Sequence, residues 1–138
     1  MLYYELLSGI WIGDTDILAN LKFLEDNHIA IIFNCTQYFD FPDQSQIKKI
    51  RLPFSPLQNN DDLSLLQCNY DKIADYIHRS IDTHNILIIC YDGISISPLL
   101  VALYIKKYSQ IDQKSIYSIL ESKQKGLNLW CDIEIFNS

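Results

Sequence analysis

The chain has 138 residues, 49% of them hydrophobic, which predicts one domain over 1–138 with a single buried core. A net charge of −6 and a pI of about 4.8 argue against nucleic acid and against an anionic membrane surface as partners. The four cysteines form no CxxC pair, the N-terminus has no secretion signal and no apolar run could span a bilayer, so we expect an intracellular protein, cytoplasmic or nuclear, with reduced thiols and no metal or other cofactor.

Strands and helices alternate along the sequence. Two continuous apolar runs, IAIIFNC and NILIIC, are typical of strands buried on both faces. The run IKKIRLPF alternates and stops at a proline, which favours a position nearer an edge. The pattern predicts an α/β fold with a small, mostly parallel central sheet flanked by helices. In chain order, the predicted elements are a hairpin that turns at Gly9, a helix from Asp14 or Thr15 to about Asn27, a strand over 29–35, a loop over 38–46, a strand over 47–54, a loop over 55–62, a helix from Leu63 to about Thr83, a strand over 85–90, a helix from Ser97 to Tyr108, a helix from Asp112 to about Gln124, and a short, partly aromatic tail after Gly126.

The segment IICYDGISISP, residues 88–98, joins the most hydrophobic strand to a helix. Cys90 ends the strand, and Pro98 fits the first helical turn because its missing N–H would have had no partner there. Gly93 relieves the curl between them. Ligands of such sheets lie beyond the carboxyl ends of the strands, so we predict a nest of backbone N–H groups that faces the Cys90 sulfur and binds phosphate or sulfate. The predicted anion-binding loop comprises Tyr91, Asp92, Gly93, Ile94, Ser95, Ile96 and Ser97.

This segment resembles the signature loop of the cysteine-dependent, dual-specificity-type protein phosphatases, which reads His, Cys, five residues, Arg, then Ser or Thr. Cys90 stands at the position of the nucleophile and Gly93 at that of the loop glycine, while Ser95 and Ser97 flank the arginine position. The stretches SGIWIGD, HIAIIFNCT, IRLPF and SIYSILESKQKG are similar to further segments of the family. The resemblance implies the phosphatase fold over nearly the whole chain.

The departures from the family pattern are as specific as the resemblance. Ile89 replaces the family's histidine, and Ile96 replaces the arginine that grips the phosphate. The general-acid aspartate is expected where Ser55-Pro56-Leu57 stands. The first carboxylates, Asp61 and Asp62, come later and suit the cap of the next helix better.

These departures all weaken phosphoryl transfer. Losing such a cation costs on the order of 10³ to 10⁵ in rate, and losing the acid costs roughly another 10² to 10⁴. Without the histidine and the arginine, and with Asp92 nearby, we expect the Cys90 thiol to be harder to ionise than in active relatives. The resemblance thus implies a pseudophosphatase, in which Cys90 is vestigial and the domain regulates by binding a protein or a phosphosite. The alternative is an active tyrosine or dual-specificity phosphatase whose atypical site uses Cys90 as nucleophile.

Two further classes of function stay open at the level of sequence. Sulfur transfer of the rhodanese type shares the arrangement of strand, cysteine, loop and helix, although it fits the rest of the chain less well. Self-association as a homo-oligomer would follow if Ile89, Ile94 and Ile96 formed an exposed apolar rim.

We expect no catalytic role for the remaining arginines, histidines, cysteines and aromatic residues of the tail. Arg51 and Arg79 are the only arginines that could replace the missing one, and only Arg51 lies on a strand that leads toward the acid loop. We expect structural or solvent-exposed roles for the histidines and for the other cysteines. Trp130 and Phe136 of the tail are expected to pack on the core or to contact a partner. The histidines are His28, His78 and His84, and the other cysteines are Cys35, Cys68 and Cys131.

Overall fold

The computed structural model describes residues 1–136. Five strands form one sheet in the order β1-β2-β5-β3-β4, in which β1 is antiparallel to β2 and the other neighbours are parallel. The predicted α/β class and mostly parallel sheet are confirmed. The elements are β1 (Tyr3–Leu7), β2 (Ile10–Gly13), a 3₁₀ helix (Thr15–Ala19), α1 (Leu21–Asp26), β3 (Ile29–Asn34), β4 (Lys48–Arg51), α2 (Asn60–Ser80), β5 (Asn85–Ile89), α3 (Ser97–Tyr108), α4 (Gln113–Lys123) and a second 3₁₀ helix (Ile133–Ile135).

The central strands are buried on both faces, as their continuous apolar sequences predict. Along β5, Ile86 and Ile88 pack into a large core that also receives α2, α3 and α4. Their neighbours Leu87 and Ile89 pack into a smaller core with the first 3₁₀ helix and α1. Because β5 lies between β2 and β3, its carboxyl end is held on both sides, which gives the residue that follows a fixed position.

The helix predicted from Asp14 or Thr15 to Asn27 is instead two short helices. Asn20 separates them with φ −91° and ψ 80°, outside the helical region, and its side chain accepts a hydrogen bond from the N–H of Phe23. A capping asparagine therefore ends one helix and starts the next, a local signal that the apolar spacing concealed. The long helix begins three residues before its predicted start, because Asn59 caps it.

Candidate functional site

Cys90 directly follows β5 at the carboxyl edge of the sheet, and it is fully buried. Its N–H donates to the carbonyl of Gly13, 3.2 Å away, which anchors the chain as it leaves the sheet. The N–H of Ser97, the first residue of α3, donates to the Cys90 sulfur at 3.4 Å. The start of α3 is thus directed at the sulfur, as the sequence predicts for the signature loop, residues 90–97.

The carboxylate of Asp92 occupies the donors of this loop. Its Oδ1 accepts the N–H of Ile94 at 3.0 Å, the N–H of Ser95 at 3.1 Å and the hydroxyl of Ser95 at 2.9 Å. The thiol of Cys90 lies 3.5 Å from the same oxygen. Backbone donors that would bind a phosphate in an open nest are therefore engaged by an anion of the chain itself. The sequence offered a signal for this contact, since an Asp-Gly pair favours a side chain that bonds the backbone two residues on.

Gly93 and Tyr4 hold the backbone of the signature loop in its turn. Gly93 has φ 74°, and a Cβ there would lie 3.2 Å from the backbone at Gly13 and Asp14. The hydroxyl of Tyr4 donates to the carbonyl of Gly93 at 2.7 Å. Burial raises the pKa of Tyr4 well above its usual range, and charge on Cys90 and Asp92 adds to the effect. The hydroxyl therefore stays protonated and keeps the loop in place.

The isoleucines at the two altered family positions belong to the cores. Ile89 is fully buried in the smaller core, and Ile96 is 1% exposed in the larger one. Only Ile94 of the three is half-buried. The condition for self-association through an exposed apolar rim of Ile89, Ile94 and Ile96 is therefore not met, because Ile89 and Ile96 are buried in opposite cores.

Tyr91 and Ser97 use their side chains in ways that the sequence did not indicate. The Tyr91 hydroxyl donates to the carbonyl of Phe54 at 2.7 Å and accepts the N–H of Gln37 at 3.1 Å. Tyr91 thus ties the signature loop to the segments that follow β3 and β4. The Ser97 hydroxyl is fully buried and has no hydrogen-bond partner within residues 1–136.

Neither arginine replaces the missing one. The guanidinium of Arg51 donates to the carbonyls of Thr36 and Phe39 at 2.9 and 2.8 Å, which braces the loop after β3. Arg79 lies over the ring of Tyr76 on α2, 5.7 Å from its centre. Both cations are thus committed outside the signature loop.

The acid loop, residues 55–59, is closed by a buried carboxylate. Asp62 accepts the N–H of Ser55 at 2.7 Å, its hydroxyl at 2.5 Å and the N–H of Asn59 at 3.0 Å. The Asn59 side chain accepts the N–H of Asp62 in return, which completes a capping box. Burial alone would raise the pKa of Asp62, but the hydrogen bonds from Ser55 and Asn59 outweigh it and hold the pKa below its usual range. The prediction that the first carboxylates cap the next helix is confirmed for Asp62, while Asp61 is exposed.

The segments at the carboxyl edge of the sheet are mostly acidic, and the Arg51 guanidinium at the end of β4 is already bound to carbonyls there. The loops over 14–20, 35–46, 52–62 and 90–96 contain seven aspartates and no lysine or arginine. An anionic substrate that approached this edge would meet repulsion rather than steering. The aspartates are Asp14, Asp16, Asp40, Asp43, Asp61, Asp62 and Asp92.

Residues 10–130 match the family model of the dual specificity phosphatase, catalytic domain. The chain belongs to this family. Solved phosphatase structures share its fold. A variant of human DUSP28 matches with a TM-score of 0.83 and 10% identity, over 98% of this chain and 90% of that chain. DUSP15 matches with a TM-score of 0.80 and 17% identity, over 96% and 83%.

The human tyrosine phosphatase-like serine/threonine/tyrosine-interacting protein matches with a TM-score of 0.78 and 16% identity, over 95% of this chain and 89% of that chain. At these identities the structural matches show the fold alone. No curated protein sequence matches the chain significantly.

Residues 1–136 show neither a cluster of metal ligands nor a membrane-spanning helix. No three side chains of His, Cys, Asp or Glu come together there as metal ligands. None of the helices in this range combines the length and the apolar character needed to cross a membrane.

Proposed function

We propose that this dual-specificity phosphatase domain has lost phosphoryl transfer and acts by binding another protein. The observation that carries the proposal is the contact of Asp92 with the N–H groups of Ile94 and Ser95. A phosphate dianion at this place would have to displace a carboxylate and then sit beside it. Removing donors that stabilise developing charge is among the costliest changes to a catalytic site.

Three other observations support the loss of chemistry. Ile96 packs into the core where the family carries the arginine that grips phosphate. The acid loop presents Pro56 and Leu57, and its nearest buried carboxylate, Asp62, is engaged with Ser55. The acidic edge of the sheet also disfavours a phosphosite as the bound group, so an unphosphorylated protein segment is the favoured partner.

One observation favours the alternative, an active phosphatase with an atypical site. The start of α3 still directs the N–H of Ser97 at the Cys90 sulfur, an arrangement that stabilises a thiolate. An aryl phosphate has a good leaving group, so Cys90 would not need the missing acid to react with it. The two hypotheses, an inactive domain and an active phosphatase, therefore predict different rates of aryl phosphate turnover.

The test is the turnover of a small aryl phosphate and of a phosphotyrosine peptide by the wild type and by Cys90→Ser. We expect no difference between the two proteins with either substrate. Circular dichroism and urea unfolding of both proteins control for the fold. Turnover by the wild type that Cys90→Ser abolishes would establish the alternative and refute the proposal.

A further inference from the structure

A groove lies between α4 and residues 126–132, the segment that we call the C-terminal strap. It encloses about 480 Å³, which is within the range of ligand-binding clefts. Its walls include Tyr117 and Leu120 of α4 and Leu129 and Trp130 of the strap. These strap side chains are only half-buried. The groove therefore exposes apolar surface without filling it.

The charged side chains that line the groove, Glu121 and Asp132, are both acidic. The Glu121 carboxylate makes no hydrogen bond or ion pair within residues 1–136. Asp132 accepts hydrogen bonds from the Gln113 side chain and from the N–H of Glu134, which leaves its charge uncompensated by a cation. Lys114 lines an adjoining hollow of about 390 Å³, which Glu121 also lines, but the two side chains form no ion pair within residues 1–136. An occupant that combines apolar and cationic groups fits this lining.

The strap also contacts the signature loop. The N–H of Asn128 donates to the carbonyl of Ile94 at 3.1 Å, and the N–H of Trp130 donates to the carbonyl of Ser95 at 3.2 Å. The Trp130 ring meets Phe54, next to the acid loop, edge-on at 6.2 Å. An occupant of the groove would therefore touch the same strap that holds the signature loop from behind.

We infer that this groove docks a segment of a partner protein, in which an aliphatic or aromatic side chain packs against Leu129 and Trp130 and an adjacent lysine or arginine pairs with Glu121. The inference rests on the proposed function and deepens it, because it names the place and the chemistry of binding. A helix and a neighbouring extended segment form a groove of the kind that anchors one or two side chains of a peptide. Binding then fixes the strap, and through it the carbonyls of Ile94 and Ser95.

The probe is a phage-displayed library of random linear dodecapeptides, selected against the full chain. The tightest peptide is synthesised and titrated by calorimetry, and its site is mapped from the backbone amide shifts of ¹⁵N-labelled protein. We expect selected sequences that place Lys or Arg within two residues of a large apolar side chain. The largest amide shifts are expected over 127–132 and at Ile94 and Ser95.

A charge-reversed pair of variants separates the groove from the general charge of the protein. Glu121→Lys should weaken the peptide by about tenfold or more, since an ion pair and its apolar anchor act together. Glu25→Lys makes the same change of charge on an exposed residue of α1, which packs on the opposite face of the sheet. That variant should alter the affinity by less than about twofold, because salt screens the interaction between the distant residue 25 and the bound peptide.

Several outcomes would overturn the inference. They are the selection of acidic peptides, amide shifts confined to 37–41 and 55–58, equal weakening by Glu121→Lys and Glu25→Lys, a second copy of this chain as the occupant in light scattering, or no peptide that binds more tightly than about 1 mM. None of them bears on aryl phosphate turnover, so the proposed loss of chemistry stands or falls separately.

Discussion

Two aspartates close two loops at the same edge of the sheet, and they do so at different depths. The Asp62 carboxylate is buried at the start of α2, where it joins the acid loop to the helix. The Asp92 carboxylate is exposed at the mouth of the signature loop, where it holds donors that could otherwise meet a ligand. Both side chains satisfy backbone N–H groups, but Asp62 also belongs to the capping box that starts α2, whereas Asp92 bonds only within its own loop.

Because of this difference, we expect the removal of Asp62 and the removal of Asp92 to have different effects. Removing the Asp62 carboxylate takes away the capping box of α2 and the hydrogen bonds from Ser55, which costs stability. Removing an exposed acceptor lets water or another anion take its place, which costs little stability and changes what the loop binds. We therefore expect the Asp62 contacts to stabilise the fold and the Asp92 contacts to oppose the binding of ligands at the signature loop.

The largest expected loss of stability comes from the signature loop, because one of its side chains, Ile96, is part of the core. Ile96→Ala should lower the free energy of unfolding by about 3 kcal/mol, through lost burial and a cavity among α3 residues. Ile94→Ala, at a half-buried position in the same loop, is the control and should cost less than about 1 kcal/mol. Urea unfolding measures both. Equal losses would contradict the placement of Ile96 in the core.

At the acid loop, Asp62→Ala should lower the free energy of unfolding by about 2 kcal/mol, since it removes a helix cap and leaves N–H groups of Ser55 and Asn59 without their acceptor. Asp61→Ala removes the same charge from the adjacent exposed position, and there we expect a change within about 0.5 kcal/mol. Urea unfolding at pH 7 compares the two variants. A similar cost for both would show that charge, rather than the hydrogen bonds, matters here.

The pH dependence of stability also tests the hydrogen bonds of the Asp62 carboxylate. The pKa of Asp62 is held below its ordinary value of 3.8, so the folded protein releases this proton more readily than the unfolded chain. The resulting stabilisation is fully present above the ordinary pKa and is lost as the pH falls through the lowered one. The difference in unfolding free energy between the wild type and Asp62→Asn should therefore stay constant from pH 7 to 5 and shrink below about pH 4. A difference that grows on acidification would contradict the lowered pKa.

A smaller effect is expected where the two loops are joined. Tyr91→Phe removes the hydroxyl that bridges Phe54 and Gln37, and it should cost about 1 kcal/mol in urea unfolding. Tyr38→Phe makes the same chemical change on a side chain that is 86% exposed and should be neutral. If Tyr91→Phe were also neutral, the hydroxyl would not hold the loops together.

Much of the scaffold could be predicted because local signals agreed with the tertiary fold. The apolar runs placed β3 and β5, and the Ser97-Pro98 pair placed the start of α3 at its observed residue. Asn20 shows the limit, since apolar spacing predicted one helix through a residue whose side chain caps another.

The site was harder to predict because its contacts depend on the direction of side chains. Arg51 could have reached the pocket from its strand, but it turns to the carbonyls of Thr36 and Phe39. The Asp-Gly pair contained a signal for the closure by Asp92, whereas nothing in the sequence indicated the bridge made by Tyr91. Partners separated by 37 and 54 residues become neighbours only after the sheet forms.

The most direct measurement compares the binding of tungstate, a phosphate-like oxyanion, to the wild type, to Asp92→Ala and to Asp40→Ala by calorimetry. Asp92→Ala frees the donors of Ile94 and Ser95, so it should bind tungstate at least about tenfold more tightly than the wild type. Asp40→Ala removes one charge from the same edge outside the loop, and it should resemble the wild type. Tungstate bound as tightly by the wild type as by Asp92→Ala would contradict the closure of the signature loop by its own carboxylate.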